Sequence, residues 1–135
     1  MNTEDLIKAY NQTHYKVNGF QNPIRIGKVL KELNSYLIQK GVNSWAYITA
    51  YNPFSEVLSE EDNEKRNSEL LEDIKKDYDY KDGIGVDPKG EWEGEKSFLI
   101  LGIKKNDAMT LAMKYNQNAI IYGEIGSLAE LIITV

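Results

Sequence analysis

Two nearly uninterrupted apolar segments, Trp45–Tyr51 and Ser97–Ile103, constrain the fold of this chain more than any other feature. A strand with one face in water alternates apolar and polar side chains, whereas a strand covered on both faces is apolar along its length. The aromatic and β-branched residues of both segments also favour extended structure. We therefore predict that the two segments are central strands of one sheet, each buried on both sides.

Helix signals surround these two strands. Helices are predicted from Thr3 to about Thr13, from about Gly27 to Gly41, from Ser59 through Tyr78 and from Asn106 through Tyr115. Thr3, Ser59 and Asn106 are the expected N-caps, because their side chains can accept a hydrogen bond from the first helical turn. Gly41 is the expected terminator of the second helix.

Shorter strands are predicted at Tyr15–Val17, Ala119–Tyr122 and Leu131–Val135, the last two as a hairpin. Asp82-Gly83 and Asp87–Gly90 are turn signals that are expected to flank a further short strand. Strands that follow one another without an intervening helix indicate a mixed or antiparallel sheet. The prediction is an α+β fold, a single domain over residues 1–135 with about four helices packed on that sheet.

Composition excludes several kinds of site. The chain has no cysteine and one histidine, His14, so disulfides, thiolate metal sites and cysteine nucleophiles are impossible. A site with several histidines or a serine–histidine triad is disfavoured for the same reason. We therefore expect no bound metal and no other cofactor.

Charge and hydropathy limit the partners. Sixteen basic and twenty-one acidic residues give a net charge of −5, which disfavours binding to a phosphate backbone. No apolar run approaches the roughly 20 residues that a membrane-spanning helix needs, and the first residues do not form a signal peptide. We expect a cytoplasmic protein without a nucleic-acid or membrane partner.

The helix that follows Ser59 carries polar side chains where apolar ones are expected. Its apolar face, continued towards the N-terminus, reaches Asn63 and Asn67, with Arg66 beside them. Buried amides without partners cost a few kcal/mol, so these groups should be paired or face a cavity. The alternative is that this end of the helix overhangs the core and the amides are solvated.

Three further groups of polar residues are candidates for a site. Asn52 and Ser55 follow the first central strand, and the positive N-terminus of the next helix points back towards them, which suits an anion. A turn without a ligand would explain the same residues. Glu95 precedes the second central strand and is the candidate general base, or the ion-pair partner of Arg66. Gln117 and Asn118 have no local structural reason to be amides, although a turn accepts them.

Four spaced motifs resemble a bacterial family known as domain of unknown function 3293. They are Ile48 to Ser55, Asn63 with Arg66, Trp92 with Glu95 and Ser97, and Gln117-Asn118-Ala119. The chain departs from the family pattern at Tyr51, where Trp is common, and at Glu93, where Pro is common. The resemblance brings no activity with it, but it implies that the site contains Asn52, Ser55, Asn63, Arg66, Glu95, Gln117 and Asn118.

Two functions follow as hypotheses. In the first, these residues and Asn67 bind a small polar, anionic or nucleotide-like ligand, Arg66 forks onto its phosphate or carboxylate, and Arg66 and Glu95 are the catalytic candidates. The sequence does not establish whether the protein is an enzyme; if it is one, metal-independent hydrolysis or group transfer is the reaction class that fits them. In the second, the protein is an interaction or regulatory module whose polar cluster is structural. Arg66 is predicted to lie near Asn52–Ser55 and either to pair with Glu95 or to face the anion.

Overall fold

The computed structural model describes residues 2–135, which form one six-stranded sheet and four α-helices. The helices are α1 (Thr3–Gln12), α2 (Lys31–Lys40), α3 (Glu60–Lys75) and α4 (Lys105–Lys114), and the strands are β1 (His14–Val17), β2 (Ser44–Ile48), β3 (Tyr80–Val86), β4 (Glu95–Leu101), β5 (Ala119–Glu124) and β6 (Glu130–Ile133). The strand order is β1-β3-β4-β2-β5-β6 and every neighbouring pair is antiparallel. The predicted α+β class is confirmed.

The two apolar segments form the centre of the sheet, as predicted. β2 and β4 pair with each other, with Trp45 opposite Leu101 and Ile48 opposite Phe98. Both strands are buried on both sides, because successive side chains enter two different core clusters. β2 is shorter than predicted, whereas β4 has the predicted length but begins and ends two residues earlier. β2 ends at Ile48 because its continuation leaves the sheet and bonds to side chains instead of to a neighbouring strand.

Helices cover both faces of the sheet. On one face, α3 and α4 contribute Leu70, Ile74, Ala108 and Ala112 to a core that also contains Ala46, Ile48, Phe98 and Ile100. On the other face, α2 contributes Leu33 and Leu37, and α1 contributes the half-buried Tyr10, to a core with Trp45 and Tyr47. Within residues 2–135, no helix combines the length and the apolar character that a bilayer crossing requires.

Two of the three predicted N-caps are wrong. α1 is capped by Asn2, whose side chain accepts a hydrogen bond of 2.8 Å from the backbone N–H of Asp5, so Thr3 is the first helical residue. α4 is preceded by Lys104, which makes no side-chain cap, and Asn106 lies inside the helix. Ser59 caps α3 as predicted, accepting from the N–H of Asp62 at 3.1 Å.

The second helix starts later than predicted. Gly27 has φ of 81° and lies in a connecting segment, so α2 begins only at Lys31. Gly41 ends α2 as expected, with φ of 71° and its N–H bonded to the carbonyl groups of Leu37 and Ile38. The helix is therefore about one turn shorter at its N-terminal end than the pattern of apolar residues indicated.

The turn predicted at Asp82-Gly83 is also wrong, because both residues lie in the middle of β3. A Cβ atom on Gly83 would lie 2.4 Å from the carbonyl oxygen of Lys16 and 2.6 Å from the hydroxyl oxygen of Tyr47. Glycine is needed there because strands and a side chain approach the backbone closely, not because the chain turns. The turn at Asp87–Gly90 is confirmed, with the Gly90 N–H bonded to the Asp87 carbonyl at 2.9 Å.

Candidate functional site

A cavity of about 530 Å³ lies at the end of the sheet where β2 and β3 finish and β4 and β5 begin. Most of its lining comes from one side of α1, the loop 52–58, the segment 91–95 and the start of β5, and the sheet and α3 contribute the rest. The site residues predicted from the sequence that line the cavity are Asn52, Ser55, Asn63, Glu95, Gln117 and Asn118. Arg66 and Asn67 do not line it, so the structure divides the predicted set in two.

The loops at this end of the sheet have strained backbone. Among residues 2–135, the four non-glycine residues with positive φ are Asn52 (47°), Phe54 (50°), Ser55 (64°) and Asn116 (58°). The Phe54 N–H donates to the Asn116 carbonyl at 2.7 Å, which joins the two loops. An asparagine tolerates this region of φ and ψ, but a phenylalanine there is unfavourable. The strain persists because side chains from other elements hold the loops in place.

Asn52 is the centre of that support. Its backbone N–H donates to Asn63 Oδ1 at 2.8 Å, and its own Oδ1 accepts from the Leu58 N–H at 3.0 Å and from Asn63 Nδ2 at 2.8 Å. Its Nδ2 donates to Glu95 Oε2 at 2.7 Å. Asn52 therefore locks the 52–58 loop to the first turn of α3 and fixes the position of the Glu95 carboxylate.

Glu95 is a half-buried carboxylate without a cationic partner. Within residues 2–135 only Asn52 hydrogen-bonds to its carboxylate, and no ion pair involves it. Burial raises the pKa of Glu95, and the hydrogen bond from Asn52 offsets part of that rise. Such a group takes up a proton more readily than an exposed glutamate, and Oε1 remains free to meet a ligand in the cavity.

The predicted pair between Arg66 and Glu95 is not formed. Arg66 Nε donates to the Ala50 carbonyl at 2.8 Å, and its Nη2 donates to the Tyr115 carbonyl. These carbonyl groups precede the two strained loops, at points where the chain has left the β2 strand or is leaving α4. Since such carbonyls need donors, the guanidinium is used to tie the bases of the two loops together and is not directed at an anion.

Asn67 and Gln117 also support the loops. Asn67 is buried, with Oδ1 accepting from the Ala50 N–H and Nδ2 donating to the Lys96 carbonyl, both at 2.8 Å. It thus replaces the ladder bonds that β2 and β4 lose where β2 ends. Gln117 is buried as well, and its Nε2 donates to the Tyr51 carbonyl at 3.0 Å. The amides on α3 are therefore buried and paired, not solvated.

Ser55 and Asn118 form a bridge at the rim of the cavity. Asn118 Nδ2 donates to Ser55 Oγ at 2.8 Å, which joins the 52–58 loop to the start of β5. Within residues 2–135, the side-chain oxygen of Asn118 accepts no hydrogen bond. Among the predicted site residues, Ser55 and Asn118 keep the most hydrogen-bonding atoms free to contact another molecule.

The aromatic and helical wall of the cavity was not predicted from the sequence. Tyr10, Tyr15, Tyr47 and Tyr51 line it, together with Leu6, Ala9 and Thr13 of the first helix and its end. Leu6, Ala9, Tyr10 and Thr13 are spaced i, i+3, i+4 and i+7, so they share one face of α1. That spacing was a signal for the wall, but nothing local indicated which part of the molecule this face would cover.

The lining of the cavity is acidic, although the sequence had indicated an anionic ligand. Its lining contains Glu60, Glu91, Glu93 and Glu95, and the described residues contribute no Lys, Arg or His to it. The expectation of an anionic ligand depended on Arg66 and on the N-terminus of α3. Arg66 is engaged elsewhere, and the first turn of α3 carries three acidic residues of its own. Within residues 2–135, no three His, Asp or Glu side chains form a group that could hold a metal ion.

Comparison with known proteins gives one match. Residues 48–120 match the family described as "Protein of unknown function (DUF3293)". No curated protein and no solved structure matches the chain. The matched segment runs from the end of β2 into β5 and includes every site residue predicted from the sequence, whereas the α1 wall of the cavity lies outside it.

Proposed function

The chain belongs to the family of proteins of unknown function DUF3293, and we propose that this member binds a small molecule in the cavity beside Glu95. The observation that carries the proposal is the cavity of about 530 Å³ with a half-buried carboxylate that has, among residues 2–135, one hydrogen bond and no counter-charge. Small-molecule sites in proteins are concave, largely apolar and supplied with a few fixed polar groups. This cavity has all three properties.

The strained loops support the same proposal. Backbone strain of about 1–3 kcal/mol per residue is retained where the surrounding structure over-determines it, and such residues cluster at functional sites. Here Asn52, Phe54 and Ser55 carry the strain, and Asn52 also holds Glu95. A chain that only needed a turn at this place could use glycine instead.

The site residues take different roles in this proposal. Glu95, Ser55 and Asn118 contact the ligand. Asn52 is a positioning residue that orients Glu95. The remaining predicted residues support the loops from behind: Asn63, Arg66, Asn67 and Gln117. If the bound molecule is turned over, Glu95 is the group that exchanges a proton with it, because its raised pKa lies closer to neutral pH than the pKa of an exposed glutamate.

A role as an interaction module is the second candidate, and one observation favours it. Three exposed apolar side chains lie near the mouth of the cavity: Phe54, Val57 and Trp92, with 54%, 86% and 38% of their surface exposed. A protein partner would cover these apolar side chains. A module of this kind needs no molecule inside the cavity, so the two candidates differ in what the cavity contains.

The test is to look for a bound molecule. Protein purified gently from cells is examined by native mass spectrometry, and the purified protein is screened against a metabolite library by thermal shift. We expect a retained molecule or a stabilising library member. Ala9→Phe should abolish either effect, because Ala9 lines the cavity on α1 and a phenyl ring would fill it.

The control is Asn11→Phe, which adds the same ring at an exposed position of α1. It should leave binding unchanged. Circular dichroism and the melting temperature show whether Ala9→Phe is still folded. A wild-type protein that neither retains a molecule nor is stabilised by any library member contradicts the proposal, and so does binding that survives in folded Ala9→Phe.

A further inference from the structure

Most of the hydroxyl groups that line the cavity cannot donate a hydrogen bond to a ligand. Of the eight lining hydroxyl groups, six donate their hydrogen to acceptors of the protein itself. The six are Thr13, Tyr15, Tyr47, Thr49, Tyr51 and Ser97, and the exceptions are Tyr10 and Ser55. A hydroxyl whose hydrogen is already committed can offer a ligand only its lone pairs.

The tyrosine hydroxyls also stay protonated. Burial raises the pKa of Tyr10, Tyr15, Tyr47 and Tyr51 above the ordinary value for tyrosine. Tyr51 shows the arrangement most clearly, since its hydroxyl donates to Glu60 Oε1 at 2.6 Å. The tyrosines therefore present neutral rings and oxygen lone pairs, and ring faces of this kind attract cations.

The lining amide groups each direct at least one N–H to an acceptor of the protein in the same way. Asn52 Nδ2 donates to Glu95, Gln117 Nε2 to the Tyr51 carbonyl and Asn118 Nδ2 to Ser55. The Glu95 carboxylate has its second oxygen free, and no cationic side chain among the described residues lines the cavity. The cavity therefore offers acceptors and negative charge at its polar end and aromatic surface elsewhere.

We propose that the ligand of this cavity is a small organic cation with N–H donors, a protonated amine attached to an apolar body. The inference depends on the proposed small-molecule function and names its ligand class. The ammonium group donates to Glu95 Oε1 and to hydroxyl oxygens whose hydrogens are committed, while the apolar body packs on the tyrosine rings. An anionic ligand would meet carboxylates and find few free donors.

Four probes with a common phenylethyl body separate charge from shape. They are 2-phenylethylamine, its N,N,N-trimethyl derivative, 2-phenylethanol and 3-phenylpropanoate, titrated at pH 7.5 with protein-observed NMR to locate the contacts. The amine should bind about tenfold more tightly than the alcohol, because a charge-assisted hydrogen bond is stronger than a neutral one. The trimethyl derivative should be weaker than the amine, since it has no N–H donor, and the carboxylate should be weakest.

Glu95→Gln should remove the preference for the amine over the alcohol. Glu61→Gln is the matched control, because it deletes the same charge at an exposed position that does not line the cavity, and it should keep the preference. Binding of the alcohol, the carboxylate or the trimethyl derivative as tightly as the amine would overturn the ligand class while leaving small-molecule binding intact. Absence of binding by every probe also overturns it, and the search for a retained molecule then decides the proposed function separately.

Discussion

The two ends of the sheet turn the chain in different ways. At the end away from the cavity, the left-handed positions are occupied by Gly41, Gly102 and Gly126, with φ of 71°, 79° and 79°. At the cavity end Gly90 also has positive φ (72°), but all four non-glycine residues with positive φ among residues 2–135 lie there, three of them in the Asn52–Ser55 loop. Glycine adopts positive φ at no steric cost, so the first end is relaxed and the second is strained. The difference indicates that reversing the direction of the chain does not by itself explain the backbone conformation at the cavity end.

The largest effect on stability is expected from a substitution that removes the main support of the strained loops. Arg66→Ala leaves the Ala50 and Tyr115 carbonyls without their charged donor. We expect the free energy of unfolding to fall by about 2–3 kcal/mol, measured by chemical denaturation. Lys65→Ala, at an exposed neighbouring position of α3, should change it by less than about 0.5 kcal/mol. Equal effects of the two substitutions would show that the strained loops do not depend on Arg66.

A smaller effect of opposite sign should follow when the strain itself is relieved. Phe54 has φ of 50° and ψ of 33°, and about half of its surface is exposed. Phe54→Gly should raise the free energy of unfolding by about 1 kcal/mol, because the released strain exceeds the entropy that glycine adds to the unfolded chain. Phe54→Ala removes the same ring but keeps the strain and should give no gain. If both variants lose stability equally, the positive φ of Phe54 does not strain the loop.

The smallest expected effect is that of the Glu95 charge on the stability of the protein. The folded-state pKa of Glu95 lies above its ordinary value of 4.5, so the folded protein holds this proton more tightly than the unfolded chain. Stability contributed by Glu95 is therefore present at pH below 4.5 and is lost as the pH rises through the raised pKa. Glu95→Gln should melt at a higher temperature than the wild type at pH 8 and should lose that advantage at pH 4. An advantage that does not change with pH would contradict the raised pKa.

How far the sequence predicted this molecule depends on the range of the interactions involved. The helical phase that reaches Asn63 and Asn67 from the apolar face of α3 is a local property, and both residues are buried as that phase required. The central strands were predictable for the same reason, since their apolar character lies within one segment. The resemblance to the family was confirmed, and it selected the residues that line the cavity or support its loops.

The errors come from contacts between distant segments. Asp82-Gly83 is a local turn signal, but pairing with β1 and β4 keeps it extended. The direction of the Arg66 side chain depends on where α4 ends, and the position of α1 depends on the sheet that it covers. The two ends of the sheet therefore also differ in how well they could be predicted. A glycine in the sequence indicates that positive φ is accessible there, whereas Phe54 gives no local sign of positive φ.

The strand order has a consequence for how the cavity comes into being during synthesis. α1 and β1 precede the other described elements, yet the strand that pairs with β1 is β3, where His14 lies opposite Val86; β1 also forms one bridge, between Tyr15 and Ile24. A nascent chain therefore exposes α1 and β1 until residues up to about 86 have left the ribosome, and pairings this distant in sequence form slowly. The tyrosine of the first helix, Tyr10, reaches the cavity only once this edge has closed. The α1 wall of the cavity is thus translated before the sheet that it covers and is assembled late. A premature stop between α3 and β4 would release a chain in which α1 and β1 have no completed sheet on which to dock.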